Sequence, residues 1–132
     1  MTKAQVLRSL NYWRGIMSLG DWDIEFEPVD ADEFLSEAGI AAYADVTYNV
    51  ATRSANVKIA LKRDKACIQR SIRHELSHLL LADMQDVSNE AAQLLGGEAA
   101  TLVRSRTSDS VEVVVRKLDR AFDKVLGKAG EE

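Results

Sequence analysis

The sequence predicts a single α+β domain on the strength of three observations. A helical pattern of apolar residues opens the chain, three segments with strand character follow, and three further helical patterns fill the second half. Helices and strands thus come in blocks instead of alternating β-α-β units, which favours α+β over a parallel α/β sheet. The length of 132 residues suits one core, so we assign residues 1–132 to one domain.

The first helix and the first strand are predicted from apolar spacing. Residues 2–19 carry apolar side chains at helical intervals, and Gly20 is the expected stop. In residues 22–27 apolar and acidic side chains alternate, which predicts a half-buried strand. Pro28 is expected to end this strand because proline cannot donate to a ladder.

A hairpin is predicted to follow an irregular acidic segment. Residues 29–39 are expected to form a loop or one helical turn, which could cover a cleft. Residues 40–50 and 54–61 have strand character and are separated by a short polar turn. Together they predict an antiparallel hairpin.

The second half is predicted to be helical. The apolar spacing predicts helices over residues 66–82, 88–104 and 109–126. The remaining residues, 127–132, are charged and contain glycine, which predicts a frayed tail.

Composition and charge narrow the functional class. Hydrophobic residues make up 46% of the chain and charged residues 29%, as in folded globular proteins. The net charge of −4 offers no basic face for nucleic acid, and no apolar run approaches the roughly 18–20 residues of a membrane span. The single cysteine, Cys67, excludes an internal disulfide and suits a reducing compartment. With no secretory signal pattern at the N-terminus, we expect a cytoplasmic protein without nucleic-acid or membrane partners, and we leave its oligomeric state open.

Both histidines of the chain lie in one segment, RHELSHLLLA. On a helix, His74 and His78 are one turn apart on the same face and can ligate one zinc ion. Glu75 is rotated by about 100° from His74, so that it can reach a water on the metal without binding the metal itself. Zinc acidifies such a water, and a glutamate can accept its proton during attack on a carbonyl. The pattern His-Glu-x-x-His therefore predicts a zinc site with a general base.

The ordinary explanation is a chance motif with two partly buried polar histidines. The surrounding run is apolar, however, and burying two imidazoles and a carboxylate without a purpose costs free energy. Cys67 falls on the same helical stripe, but two turns separate it from His74 by about 10 Å. We expect Cys67 to be a small buried residue and not a ligand.

A catalytic zinc needs a third protein ligand, which must here be an oxygen because no third histidine exists. Asp83 and Asp86 are too near in sequence to turn back to the metal. The glutamates of the following helices remain as candidates: Glu90, Glu98 and Glu112.

Each candidate glutamate also has an explanation without metal. Glu90 falls in the first turn of its predicted helix, where the dipole favours a carboxylate. Glu98 follows Gly96–Gly97, which can break the helix, and Glu112 could form a capping box with Asp109 or belong to a short strand in VEVVV. Because Glu112 heads a long amphipathic pattern, it is favoured from the residues alone, with Glu98 and Glu90 left as alternatives.

The segments WDIEF, YADVTYNVATRSANVKIAL, IRHELSHLLLADM and EVVVRKLDRAF together resemble the small HExxH zinc-peptidase-like proteins of bacteriophages and prophages. These proteins are similar to minimal gluzincins, the zincin class with a glutamate as third ligand. The resemblance covers nearly the full length, has HELSH as its specific motif, and is weakest over residues 85–107. It implies a zincin-like fold with an N-terminal helix, a small sheet of about three strands, an active-site helix and two further helices. Glu112, Val115, Leu118 and Ala121 match the spacing of the family's last helix, which implies Glu112 as the ligand.

The resemblance also implies how a substrate would bind. In gluzincins the strand before the active-site helix lines the cleft and pairs with substrate backbone, which corresponds here to residues 54–61. Tyr43 and Tyr48 lie on strands near this cleft and could donate to an oxyanion, although packing is the favoured role for both.

The sequence therefore predicts a zinc-dependent metallopeptidase that hydrolyses peptide or protein substrates. His74, His78 and Glu112 would bind Zn2+, and Glu75 would act as the general base. The alternative from another class is a non-catalytic zincin-fold module for binding or phage assembly, with a structural metal or none. A third hypothesis is an intracellular regulator that cleaves one dedicated protein.

Overall fold

The computed structural model describes residues 1–129 and has an α+β order of elements, as predicted. In the described part of the chain the elements are α1 (Lys3–Ile16), β1 (Asp23–Val29), β2 (Phe34–Leu35), β3 (Ala41–Ala42), β4 (Ala44–Asn49), β5 (Ser54–Ala60), α2 (Lys65–Leu80), α3 (Ala82–Leu95) and α4 (Gly97–Ala129). Two compact units are distinguished, one over Met1–Leu80 and one from Leu81 onward. The assignment of the whole chain to one domain stays a prediction.

Helix α1 begins at a capping box and ends earlier than predicted. The Thr2 side chain accepts the backbone N–H of Gln5, and the Gln5 side chain accepts the backbone N–H of Thr2. The helix buries Val6, Leu10 and Trp13 on one face. The predicted extension to residue 19 and the stop at Gly20 are wrong, because the chain turns at Ser18, whose φ is 56°.

The main sheet has three strands in the order β1-β5-β4. The predicted hairpin is confirmed, since β4 and β5 pair in antiparallel register. Strand β1 pairs with β5 in parallel and continues through Pro28, which lies opposite Ile59. The prediction that Pro28 ends the strand is therefore wrong. An edge strand tolerates proline because one side of its backbone has no ladder partner.

The acidic segment 29–39 contains a short strand and no helical turn. Strand β2 pairs with β3 in antiparallel register, with Phe34 opposite Ala42. The Lys58 ammonium lies 4.7 Å from the centre of the Phe34 ring, so the aromatic side chain has a cation–π contact with β5. The two-stranded sheet is thus held to the main sheet by a side chain as well as by chain connection.

The core of the first unit lies between the inner face of the sheet and the helices α1 and α2. Helix α2 packs against α1, β4 and β5. Its buried apolar side chains meet the inward-facing residues of β5 in this core. The fully or almost fully buried members are Val57, Ile59, Ile68, Ile72, Leu76 and Leu79. Ile68, Ile72, Leu76 and Leu79 recur at helical spacing, so they form the face of α2 that points towards the sheet. The opposite face of α2 points away from the sheet.

The second unit contains α3 and α4, whose predicted bounds are wrong. The predicted gap between residues 104 and 109 lies inside α4, and the break falls instead at Gly96 and Gly97. Both glycines have positive φ, 67° and 59°, a conformation that glycine adopts without a Cβ clash. The serines, threonine and aspartate near residue 107 lower helix propensity only slightly, so they do not end the helix.

Helix α4 also includes the first residues of the predicted tail. Its bounds extend to Ala129, whereas residues 130–132 of the predicted tail 127–132 lie outside the described residues. Within residues 1–129, no helix combines the length and the apolar character that crossing a membrane requires.

Candidate metal centre

The motif helix α2 starts at a cap formed by Asp64. The Asp64 Oδ1 atom accepts the backbone N–H of Cys67 at 2.8 Å, and the Asp64 carbonyl accepts the N–H of Ile68 at 3.1 Å. The hydrogen bond from the Cys67 backbone lowers the pKa of the Asp64 carboxyl, because it stabilises the ionised form. The cap therefore stabilises the first turn of α2, the helix that carries both histidines.

The two histidines of the motif lie side by side on α2. The ring centroids of His74 and His78 are 5.1 Å apart, and the ring planes meet at 65°. Both side chains are half-buried. Two imidazoles one turn apart and partly open to solvent are the arrangement that lets two nitrogens reach one metal ion.

Glu75 lies next to His74 and is buried. Its side chain is only 8% exposed, and its neighbours Leu76 and Ser77 are fully buried. The Ser77 hydroxyl donates to the Arg73 carbonyl at 2.8 Å, so this side chain is satisfied inside the helix. Glu75 is thus a carboxylate at the edge of an apolar core, next in sequence to His74.

Polar side chains on the opposite side of α2 anchor it to α1, and sequence analysis did not identify them. Arg73 is 1% exposed, and its guanidinium carbon lies 5.4 Å from the Trp13 ring centre. Gln69 is also buried and accepts the Ser9 hydroxyl at 2.5 Å. A cation and an amide inside an otherwise apolar helical stripe were the signals available in the sequence. These contacts orient the helix that carries His74.

The candidate third ligands differ in exposure within the second unit. Glu90 and Glu98 are exposed, whereas Glu112 is half-buried on α4. Glu90 lies in the middle of α3 and not in its first turn, so the helix-dipole explanation for it is wrong. Glu98 does lie in a first turn, that of α4. Glu112 is in the middle of a continuous helix, which rules out the capping-box and strand explanations.

Asp83 and Asp86 both lie on α3, which begins at Ala82. The motif helix ends at Leu80, two residues before its predicted end.

Cys67 and the two tyrosines have local partners. The Cys67 sulfur is half-buried, not buried as predicted, and lies 3.5 Å from both Arg63 Nη2 and Asp64 Oδ2. The Arg63 guanidinium lies 3.6 Å from the centre of the Tyr43 ring. Tyr48 packs edge-on against Trp22 with ring centres 6.0 Å apart. These contacts agree with packing roles for both tyrosines.

The prediction that residues 54–61 pair with substrate backbone is wrong. This segment is β5, the central strand, and its backbone is paired with β1 on one side and β4 on the other. The edges of the sheet are β1 and β4. Of the two, β4 is the strand against which α2 packs.

No protein-family model, curated protein or solved structure matches the chain.

Proposed function

We propose that the chain is a zinc-dependent metallopeptidase with a zincin-like fold, similar to the small phage proteins it resembles. The observation that carries the proposal is the pairing of the His74 and His78 rings on α2 beside a buried glutamate. Two imidazoles supply two of the three protein ligands that a catalytic zinc commonly has. The proposed hydrolysis also needs a general base, and Glu75, which lies between the two histidines in sequence, would be that base.

The third ligand in this proposal is Glu112. His74, His78 and Glu112 each offer one ligand atom, an imidazole nitrogen or a carboxylate oxygen, and all three are half-buried. The exposed carboxylates of Glu90 and Glu98 can be solvated fully by water. A half-buried carboxylate gains more from a cation, because burial disfavours the charged form unless it is paired.

A zinc ion bound there would supply a Lewis acid and lower the pKa of water towards about 7. Glu75 would accept the proton of the attacking water and pass it to the leaving amine. Its position between the two histidines and its 8% exposure support this role, because the carboxylate lies beside the proposed metal and few water molecules surround it. The packing of α2 on β4 and β5 would hold the helix that carries His74 and His78 in place.

A peptide substrate would extend the main sheet at β4. The outer side of β4 faces away from β5, so its backbone groups can bond an extended chain. Main-chain hydrogen bonds of this kind give affinity without demanding a particular sequence. Strand β4 replaces the central strand in this role.

The proposal is tested by peptide hydrolysis with Glu75→Gln. A proteome-derived peptide mixture would be incubated with the zinc-loaded protein and analysed by mass spectrometry. We expect wild type to cleave peptides and Glu75→Gln to keep its zinc but lose about 10²–10⁴-fold in rate, the usual contribution of a general base. Glu25→Gln, at an exposed position on the outer face of β1, is the matched control and should cleave like wild type.

Equal rates for wild type and Glu75→Gln would show that Glu75 is not the base. A zinc-loaded wild type that cleaves nothing in the mixture would instead favour the non-catalytic binding or assembly module.

A further inference from the structure

The second unit contains a pocket between α3 and α4 that the proposed zinc site does not use. Its volume is about 300 Å³, at the lower end of the range for small-molecule sites. Four of the eight lining residues are apolar, and the lining comes from α3, α4 and the residue just before α3: Leu81, Met84, Ser88, Arg106, Thr107, Ser110, Val111 and Val114. A space of this size takes one residue-sized group.

The polar groups of the pocket are of two kinds. Arg106 carries the charge among the lining residues, and it is exposed. The Ser88 and Thr107 hydroxyls are hydrogen-bonded to each other across the two helices. This bond links α3 to α4 at the pocket.

We propose that this pocket binds the C-terminal residue of a peptide whose last side chain is apolar. The apolar lining would take up the side chain, and the Arg106 guanidinium would pair with the terminal carboxylate in the bidentate geometry that arginine favours. A leucine, isoleucine or methionine at the terminus matches the apolar lining.

The hydroxyls favour a peptide over a fatty acid. Ser88, Thr107 and Ser110 line the pocket, and the bond between Ser88 and Thr107 uses only one of their two hydroxyl hydrogens. A peptide group can hydrogen-bond to the remaining hydroxyl hydrogen and to Ser110, whereas an aliphatic chain would cover these groups without bonding them, which costs free energy. The proposal does not rest on the zinc site.

The three methionines provide a direct measurement of binding. Met84 lines the pocket, whereas Met17 is buried in the first unit, so the Met17 methyl group serves as an internal reference in a methyl NMR spectrum. The protein as purified would be titrated with N-acetyl-Gly-Gly-Leu, with the same peptide amidated, with N-acetyl-Gly-Gly-Asn and with octanoate. We expect the leucine acid to shift the Met84 signal, the amide to bind about three- to fivefold more weakly, and the asparagine peptide weakest.

Two arginine variants separate the charge from the pocket. Arg106→Gln should bind the acid and the amide equally. Arg104→Gln, an exposed arginine on the same helix that does not line the pocket, should keep the preference for the acid. The titration should give the same result with EDTA present.

Four results would overturn the proposal. They are an unmoved Met84 signal, equal affinity of wild type for acid and amide, tighter binding of octanoate than of the leucine peptide, and loss of the preference when EDTA is added. The last result would mean that the carboxylate binds a metal. Because the readout needs no hydrolysis, failure here leaves the peptidase proposal standing, and failure of the peptidase proposal leaves this one standing.

Discussion

The two units differ in how far the apolar side chains of their helices are buried. In the first unit, the apolar stripe of α2 is buried almost completely, and Leu76 has no exposed surface. In the second unit, several apolar side chains of α3 and α4 face outward, and Leu94 is 91% exposed. Packing around α2 therefore stabilises the first unit. In the second unit, the glycines set the boundary between the two helices.

The difference explains where residue patterns are informative. A buried stripe constrains helix position strongly because a shift of one residue would rotate the stripe by about 100° away from the core. A helical hairpin with exposed apolar groups has weaker constraints of this kind, so that its boundaries follow local backbone preferences.

A leucine-to-alanine change should destabilise the protein much more in the first unit than in the second. Leu76→Ala removes a fully buried side chain, and we expect a loss of about 2–5 kcal/mol in the free energy of unfolding. Leu94→Ala is the matched control, and a change within about 0.5 kcal/mol is expected for so exposed a position. Urea denaturation monitored by circular dichroism measures both. Equal losses at the two positions would contradict the account of the two units.

The third ligand can be tested with three isosteric changes in the second unit. Glu112→Gln replaces a carboxylate by an uncharged amide of nearly equal size, and we expect zinc affinity to fall by at least about 100-fold, or about 2.8 kcal/mol. Glu90→Gln and Glu98→Gln should leave the affinity unchanged, because both side chains are exposed. Competition with a chelator gives the three affinities. A drop at Glu98 with Glu112 unaffected would assign the ligand to the start of α4.

Glycine changes should have opposite signs in the two units. Gly96→Ala places a Cβ on a residue with φ of 67°, which costs about 1–3 kcal/mol. Gly15→Ala lies in α1, where no heavy atom would be within 4 Å of the new Cβ, and it should stabilise by about 0.5–1 kcal/mol. Thermal unfolding of both variants measures the difference. A stabilising Gly96→Ala would show that the glycines do not set the α3–α4 boundary.

Much of the first unit could be predicted from sequence. Alternation over residues 22–27 and the hairpin pattern gave the strands, and the apolar spacing around His74 gave α2 to within two residues. The parallel pairing of β1 with β5 was not predictable, because register depends on long-range contacts and not on local pattern. The prediction for Pro28 was wrong for the same reason, because the effect of a proline depends on whether its strand lies at the edge of the sheet.

The second unit was predicted less well. The polar run near residue 107 looked like a loop, yet helix continues through it because a few weak helix formers cost little in a 33-residue helix. Gly96–Gly97 were noted as a potential break, but their positive φ values could not be derived from the sequence. The exposure of Glu90 and Glu98 depends on these boundaries, so it too was beyond local pattern.

The zinc content of the purified protein tests whether His74 and His78 bind zinc. Wild type, His74→Ala and His78→Ala would be purified in parallel without added chelator, checked for folding by circular dichroism, and analysed by inductively coupled plasma mass spectrometry. We expect about one zinc per chain in wild type and a clear loss in both folded variants, because each variant removes one of the ligands. A wild type that carries no more zinc than His74→Ala would contradict the account.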